Sequence, residues 1–221
     1  MSFDAATVSM ILEGIKETLL MVFISSAISY LIGIPLGVLL VVSDKDGIKP
    51  MPAVNSIVGA IINLLRSVPF MILLILVLPV TRALVGTTLG WKAVVPPLVF
   101  SAAPYIARMV ESSLKETDAG VIEAAQSMGA GNMEIITKVY LPEATPSLII
   151  GAAISVTTIL GYSAMAGFVG GGGLGTIAIN YGYYRYQTDM MIVTCIILVL
   201  IVQLIQEAGT RLARKLDKRI N

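Results

Sequence analysis

The chain has 221 residues, 56% of them hydrophobic and 13% charged, with a net charge of +1 and a mean hydropathy of +0.88. A soluble domain is about a quarter charged, so this deficit marks a lipid solvent, and a near-neutral chain with no basic patch among aromatics argues against a nucleic-acid partner. The lack of histidine removes the commonest metal ligand and general base, and a single cysteine, Cys195, excludes an intrachain disulfide.

The first residues mix Asp4, Glu13 and Lys16 without the basic start or small-residue cleavage site of an export signal. The first apolar run therefore reads as a retained span. Crossing a bilayer takes about twenty mostly apolar residues. Five segments qualify, near 18–42, 57–80, 93–110, 147–168 and 190–207. They predict an all-α integral membrane domain over residues 14–208, followed by a basic tail over 209–221. Pro96, Pro97 and Pro104 interrupt the third segment, which is expected inside a bundle whose neighbours satisfy the freed carbonyls.

Lysine and arginine set the orientation. One set of loops holds Lys45, Lys49, Arg108, Lys115, Lys138 and the tail residues Arg211, Arg214, Lys215, Lys218 and Arg219. The opposite set holds Lys16, Arg82, Lys92 and Arg185. The first side is expected to be cytoplasmic, with the N-terminus outside and the C-terminus inside. The tail either binds anionic membrane lipid or is a solvated helix end.

The carboxylates fall in loops or near span ends, so no acid sits at midplane to couple a proton or sodium gradient. No GxxxxGK[ST] phosphate loop occurs either. Uphill transport would draw its energy from another subunit. Arg66 is the one charge well inside a span, in NLLRSVPF from Asn63. A cation there costs about 3 kcal/mol or more. Three roles stay open for it: contact with an anionic solute group, bonding to carbonyls freed by Pro69, or snorkelling towards the cytoplasm. Asn63 could share its face.

Between the third and fourth long apolar segments lies a polar island, EAAQSMGAGNMEIITKVYLP, from Glu123 to Pro142. Asp118 is a plausible N-cap for a short helix that aligns Val121, Ala125 and Met128 on one stripe. Gly129 suits the left-handed position that ends such a helix. Asn132 would cap a second short helix, stopped by Pro142. The product is a pair of short helices with small alanines open to close approach, or else an ordinary surface hairpin.

The fourth span ends in GYSAMAGFVGGGGLG from Gly161. No lysine follows and no strand precedes the glycines, so they are not a phosphate loop. They predict a flexible external loop or a bend that lets a gate move. Tyr162, Ser163 and Met165 would line it. The tract from Tyr181 to Tyr186 reads as an interfacial aromatic belt.

The island has the spacing of the cytoplasmic EAA loop of ABC importer permeases, with Val139 where that family normally has Ile. With NLLRSVPFMILLILVLPVTRALVGTTLG from Asn63, SAAPYIARMVESSL from Ser101, KVYLPEATPSL from Lys138 and the Gly161 string, the chain resembles the methionine branch of that family. The resemblance covers nearly all of it. It implies a type I importer permease fold with five transmembrane helices and a cytoplasmic coupling loop over 118–142. It also implies a homodimer, two cytoplasmic ABC ATPase subunits and an external substrate-binding lipoprotein. Glu123, Ala124, Ala125, Gly129 and Pro142 would couple to the ATPase; Arg66, Ser67, Tyr162, Ser163 and Met165 are the candidate solute path. This chain would be non-catalytic and hold no cofactor, ATP and Mg2+ belonging to the partner. Methionine is the implied solute. A polar amino acid or a quaternary amine is the alternative, the amine lacking an aromatic cage, since Trp91 stands alone. A secondary transporter would need midplane acids, and a membrane enzyme would need clustered acids or a nucleophile with its base.

Overall fold

The computed structural model describes residues 4–216, and no strand occurs among them. Nine α-helices are described: α1 Ala5–Val42, α2 Pro52–Ser67, α3 Phe70–Val85, α4 Trp91–Lys115, α5 Ala119–Ser127, α6 Asn132–Ile135, α7 Leu141–Met165, α8 Gly173–Ile177 and α9 Thr188–Leu216. Lys218 and Arg219 of the predicted tail lie outside the described residues. Helix α1 begins well before the apolar run at Thr18, because Asp4 caps it, its carboxylate accepting from the Thr7 N–H at 2.9 Å.

The bundle is organised on α4, which packs most extensively against α1. The reason is a stripe of small residues. Ser25, Ser29, Gly33 and Gly37 recur every fourth position of α1, all buried. A methyl group at Gly33 would lie 2.6 Å from Ile106 Cγ2, and one at Gly37 2.6 Å from the Ala107 carbonyl oxygen. Small residues at this spacing let two membrane helices approach backbone to backbone. The three prolines of α4 sit within a continuous helix, Pro97 and Pro104 buried, as expected of a central span.

The predicted second span is not one helix. It breaks at Val68–Pro69 into α2 and α3, which diverge by 107°. Val68 is extended, and Pro69, which offers no N–H, starts α3 by accepting from the Ile72 and Leu73 amides. A residue preceding proline is pushed out of the helical region. The overall length and apolarity of residues 57–80 read as one span, although Asn63, Arg66, Ser67 and Pro69 interrupt the run at the break.

The second helix of the island is not short either. Residues Asn132–Val169 form one rod of 38 residues, about 57 Å long at 1.5 Å per residue. Pro142 does not stop it. A π-helical stretch, Ile136–Tyr140, precedes α7, and the extra residue per turn absorbs the proline that an α-helical ladder would not admit. Asn132 is the first helical residue rather than the cap; Gly131 precedes it, its N–H donating to Glu134 Oε2 at 3.2 Å. Helix α9 packs along α7 and exposes Ile192, Ile196, Val199 and Leu200. Cys195 is exposed on the same helix.

Candidate coupling and translocation site

The end that carries α5 is a capped hairpin with exposed apolar side chains. Asp118 caps α5, its carboxylate accepting from the Gly120 N–H at 2.7 Å. At the other end Gly129 has φ +81. Its N–H donates to the Gln126 carbonyl at 2.9 Å and that of Ala130 to the Ala125 carbonyl at 3.1 Å, the paired bonds of a Schellman motif. The predicted stripe is corrected: Ala125 and Ile122 turn inward, whereas Val121 and Met128 are exposed, Met128 at 82%. Ala125 therefore anchors α5 to its own bundle instead of admitting a partner. Glu123 and Ala124 are exposed, as is Pro142. Glu123 makes no ion pair among the described residues. Met133, 70% exposed, extends the apolar part of this surface.

Beneath α5 lies a cavity of 330 Å³ lined by Val41, Asp44, Leu114, Lys115, Ile122 and Tyr140 among others. Its wall belongs to a charge network that sequence reasoning missed. Lys115 Nζ reaches Glu111 Oε1 at 2.9 Å, and Arg108 Nη1 reaches Glu111 Oε2 at 2.7 Å. Arg108 Nη2 donates to the Gly59 carbonyl at 3.1 Å and to Asn63 Oδ1 at 3.0 Å. Arg108, read as a loop residue, is thus inside the bundle, and Asn63 serves it rather than Arg66. The i, i+3 and i+7 spacing of Arg108, Glu111 and Lys115 puts them on one helix face, a signal in the sequence, but nothing there marks the cross-helix partners.

Glu111 and Glu17 lie inside the long helices α4 and α1, each one residue beyond an end of the predicted spans 93–110 and 18–42. Both are engaged: Glu111 as above, and Glu17 by accepting from the Gly173 N–H at 2.7 Å.

The candidate path residues divide. The Phe70 and Tyr162 rings stack at 4.6 Å and 8°, joining the α2–α3 break to the end of α7. Arg66 is exposed in the last turn of α2, without a partner among the described residues. Ser67 Oγ donates to the Asn63 carbonyl at 2.8 Å, and Met165 is 46% exposed. Ser163 is buried and donates to the Leu160 carbonyl at 2.7 Å, so it faces its own helix rather than a path. The glycine tract is a packed bend, not a loose loop. Gly170, Gly172 and Gly173 have positive φ, and a methyl group at Gly167 would collide with the Gly175 backbone. In the aromatic tract, Arg185 lies over the Tyr181 ring at 4.5 Å while Tyr183, Tyr184 and Tyr186 are exposed.

Long apolar helices, one pair of them sharply bent, with a capped hairpin at one end, describe an integral membrane component. The chain belongs to the family of binding-protein-dependent transport system inner membrane components, whose profile matches residues 30–221. It is similar to the probable D-methionine transport system permease protein MetI of Vibrio cholerae, 46% identical over 95% of this chain and 93% of that one. It is also similar to the methionine import system permease protein MetP of Bacillus subtilis, 44% identical over 82% of each. A chain from an inward-facing structure of the MetNI methionine ABC transporter superposes with a TM-score of 0.95 at 45% identity, covering 97% of this chain and 100% of that one. An amino acid ABC transporter solved with histidines, 18% identical, shares the fold at a TM-score of 0.79.

Proposed function

We propose that this chain is the gate of an ATP-driven importer of methionine, passive in itself and moved by separate ATPase subunits that hold ATP and Mg2+. Two copies form the pore, and an external binding protein delivers the solute. The observation that carries the reading is the rod of Asn132–Val169. A push on the cytoplasmic hairpin travels along it as a rigid displacement to Tyr162 and the glycine bend. Glu123, Ala124, Met128, Gly129 and Pro142 form the docking surface, with Ala125 as its inward anchor. A binary gate of this kind needs two packed arrangements rather than a continuous deformation.

The likeness to an inward-facing MetNI chain supports assigning this conformation to the inward-facing state. Arg66, Ser67, Tyr162 and Met165 remain the solute-path candidates. The lysine and arginine distribution supports an external N-terminus, and losing Arg108 from the cytoplasmic loop count does not reverse it. The test is uptake of radiolabelled methionine into vesicles bearing the full assembly, competed by each unlabelled amino acid. ATP turnover should rise with methionine-loaded binding protein. Uptake driven by an ion gradient without ATP would overturn the reading.

A further inference from the structure

Helix α8 begins at a glycine, and Gly172 has no side chain with which to cap it. The first amides of any helix lack partners on their own helix. Here the partners come from α1, 156 residues earlier in sequence. Glu17 Oε2 accepts from the Gly173 N–H at 2.7 Å, and Thr18 Oγ1 accepts from the Leu174 N–H at 2.9 Å. Thr18 is itself fixed, donating to the Gly14 carbonyl at 2.8 Å. On its other side the bend is held by the α3–α4 turn, where the Gly90 N–H donates to the Gly170 carbonyl at 2.9 Å.

The glycines permit this proximity. A methyl group at Gly172 would lie 2.8 Å from Glu17 Oε2, and one at Gly173 2.5 Å from Thr18 Oγ1. The bend is flanked by non-α windings, a 3-10 stretch at Ala166–Val169 and a π stretch at Ala178–Tyr183. Such windings are places where a helix changes register. A cavity of 290 Å³, lined by Met10, Glu13, Gly14, Glu17, Gly173 and Thr176 among others, opens beside the carboxylate. Its volume leaves room beside the carboxylate for the two groups to part.

We propose that Glu17, seconded by Thr18, is the latch of the outer gate: it holds the glycine bend against α1 in the inward-facing state and releases it on outward opening. Glu17 is a positioning residue, since it acts through the backbone of the bend. The proposal rests on the importer reading above. A local cap would have held α8 to its own turn; a cap from another helix makes the closed outer side conditional on one carboxylate.

The experiment uses the complete importer in vesicles, in a Cys195→Ala background. Cysteines replacing Glu13 and Thr176, which line the same cavity, are treated with a short bis-maleimide. Bridging is expected in the nucleotide-free complex and lost in the complex trapped with ATP and vanadate. In Glu17→Ala, bridging without nucleotide should fall and ATP turnover without binding protein should rise by about tenfold, the weight of one charge-assisted hydrogen bond. Glu17→Gln keeps an acceptor oxygen and should show a smaller rise, with less methionine moved per ATP. Equal bridging in both states, or unchanged uptake per ATP in Glu17→Gln with only less assembled complex, makes Glu17 a static cap and overturns the latch. If the parental complex takes up methionine while bridging ignores nucleotide, only the latch falls. If the parental complex takes up none, the importer reading falls and the latch with it.

Discussion

Lys115 Nζ lies 2.6 Å from Asp44 Oδ2, fastening the turn after α1 to the end of α4 just before α5 begins. The same ammonium holds Glu111, whose side chain is only 11% exposed. The network thus joins the turn after α1 to α2 and α4 at the end of the bundle that carries α5. Lys115→Met removes two partners at once and leaves Glu111 to Arg108 alone. The full complex should lose thermal stability by a few degrees and couple ATP turnover to uptake less tightly. Asp44→Asn should cost less, since its site is partly solvated. Unchanged melting in both variants would remove the network from the coupling path.

The Lys115 hydrogen bond holds the Asp44 carboxyl below the usual carboxylate range. Because the folded value is depressed, the stabilisation is complete above the usual carboxylate value. It is lost as pH falls through the folded one. The stability difference between the parent and Asp44→Asn should therefore shrink below about pH 4. Thermal melts of the two across that range check it, and a constant difference would contradict the assigned contact.

Gly129 holds φ +81, and among the described residues nothing lies within 4 Å of where a methyl group would stand. Substitution therefore costs backbone strain alone. Gly129→Ala should cost about 1–2 kcal/mol locally, and Gly129→Val more, because a β-branched side chain tolerates the left-handed region worst. The valine variant should uncouple ATP turnover from uptake or fail to bind the ATPase. Normal uptake by it would refute the docking role of the hairpin.

Arg66 separates three roles by two substitutions. Arg66→Ala should reduce uptake if the guanidinium serves solute or a helix interface, and Arg66→Lys should restore it only if charge suffices. Loss of uptake with normal assembly points to the path, and loss of assembly points to the interface. Parental behaviour in both variants means snorkelling. Uptake assays paired with gel filtration of the complex read all three.

The stacked pair Phe70–Tyr162 contributes about 0.5–1.5 kcal/mol beyond its buried area. Tyr162→Phe should keep the stack and the fold; Tyr162→Ala should loosen the junction between the α2–α3 break and α7. If the Tyr162 hydroxyl contacts solute, Tyr162→Phe should raise the KM for uptake without changing melting. An unchanged KM would leave Tyr162 a packing residue.

Much of this protein was legible in one dimension. Lipid as solvent, the apolar runs, the capped and glycine-ended α5 and the centrality of the proline-bearing α4 follow from local chemistry. Composition, apolar length and capping residues act over a few neighbours, so their signals lie contiguous in the chain. What the chain order could not state was which distant groups meet. The bend at Val68–Pro69, the passage of the helix through Pro142, the inward turn of Ala125, the Arg108–Asn63 bond and the Glu17 cap on Gly173 all depend on which surface faces which. Identical apolar runs pack straight or bent, and a carboxylate accepts any amide within reach. Only the three-dimensional arrangement selects the partner, because a hydrogen bond is decided by distance in space, and helices far apart in sequence set that distance.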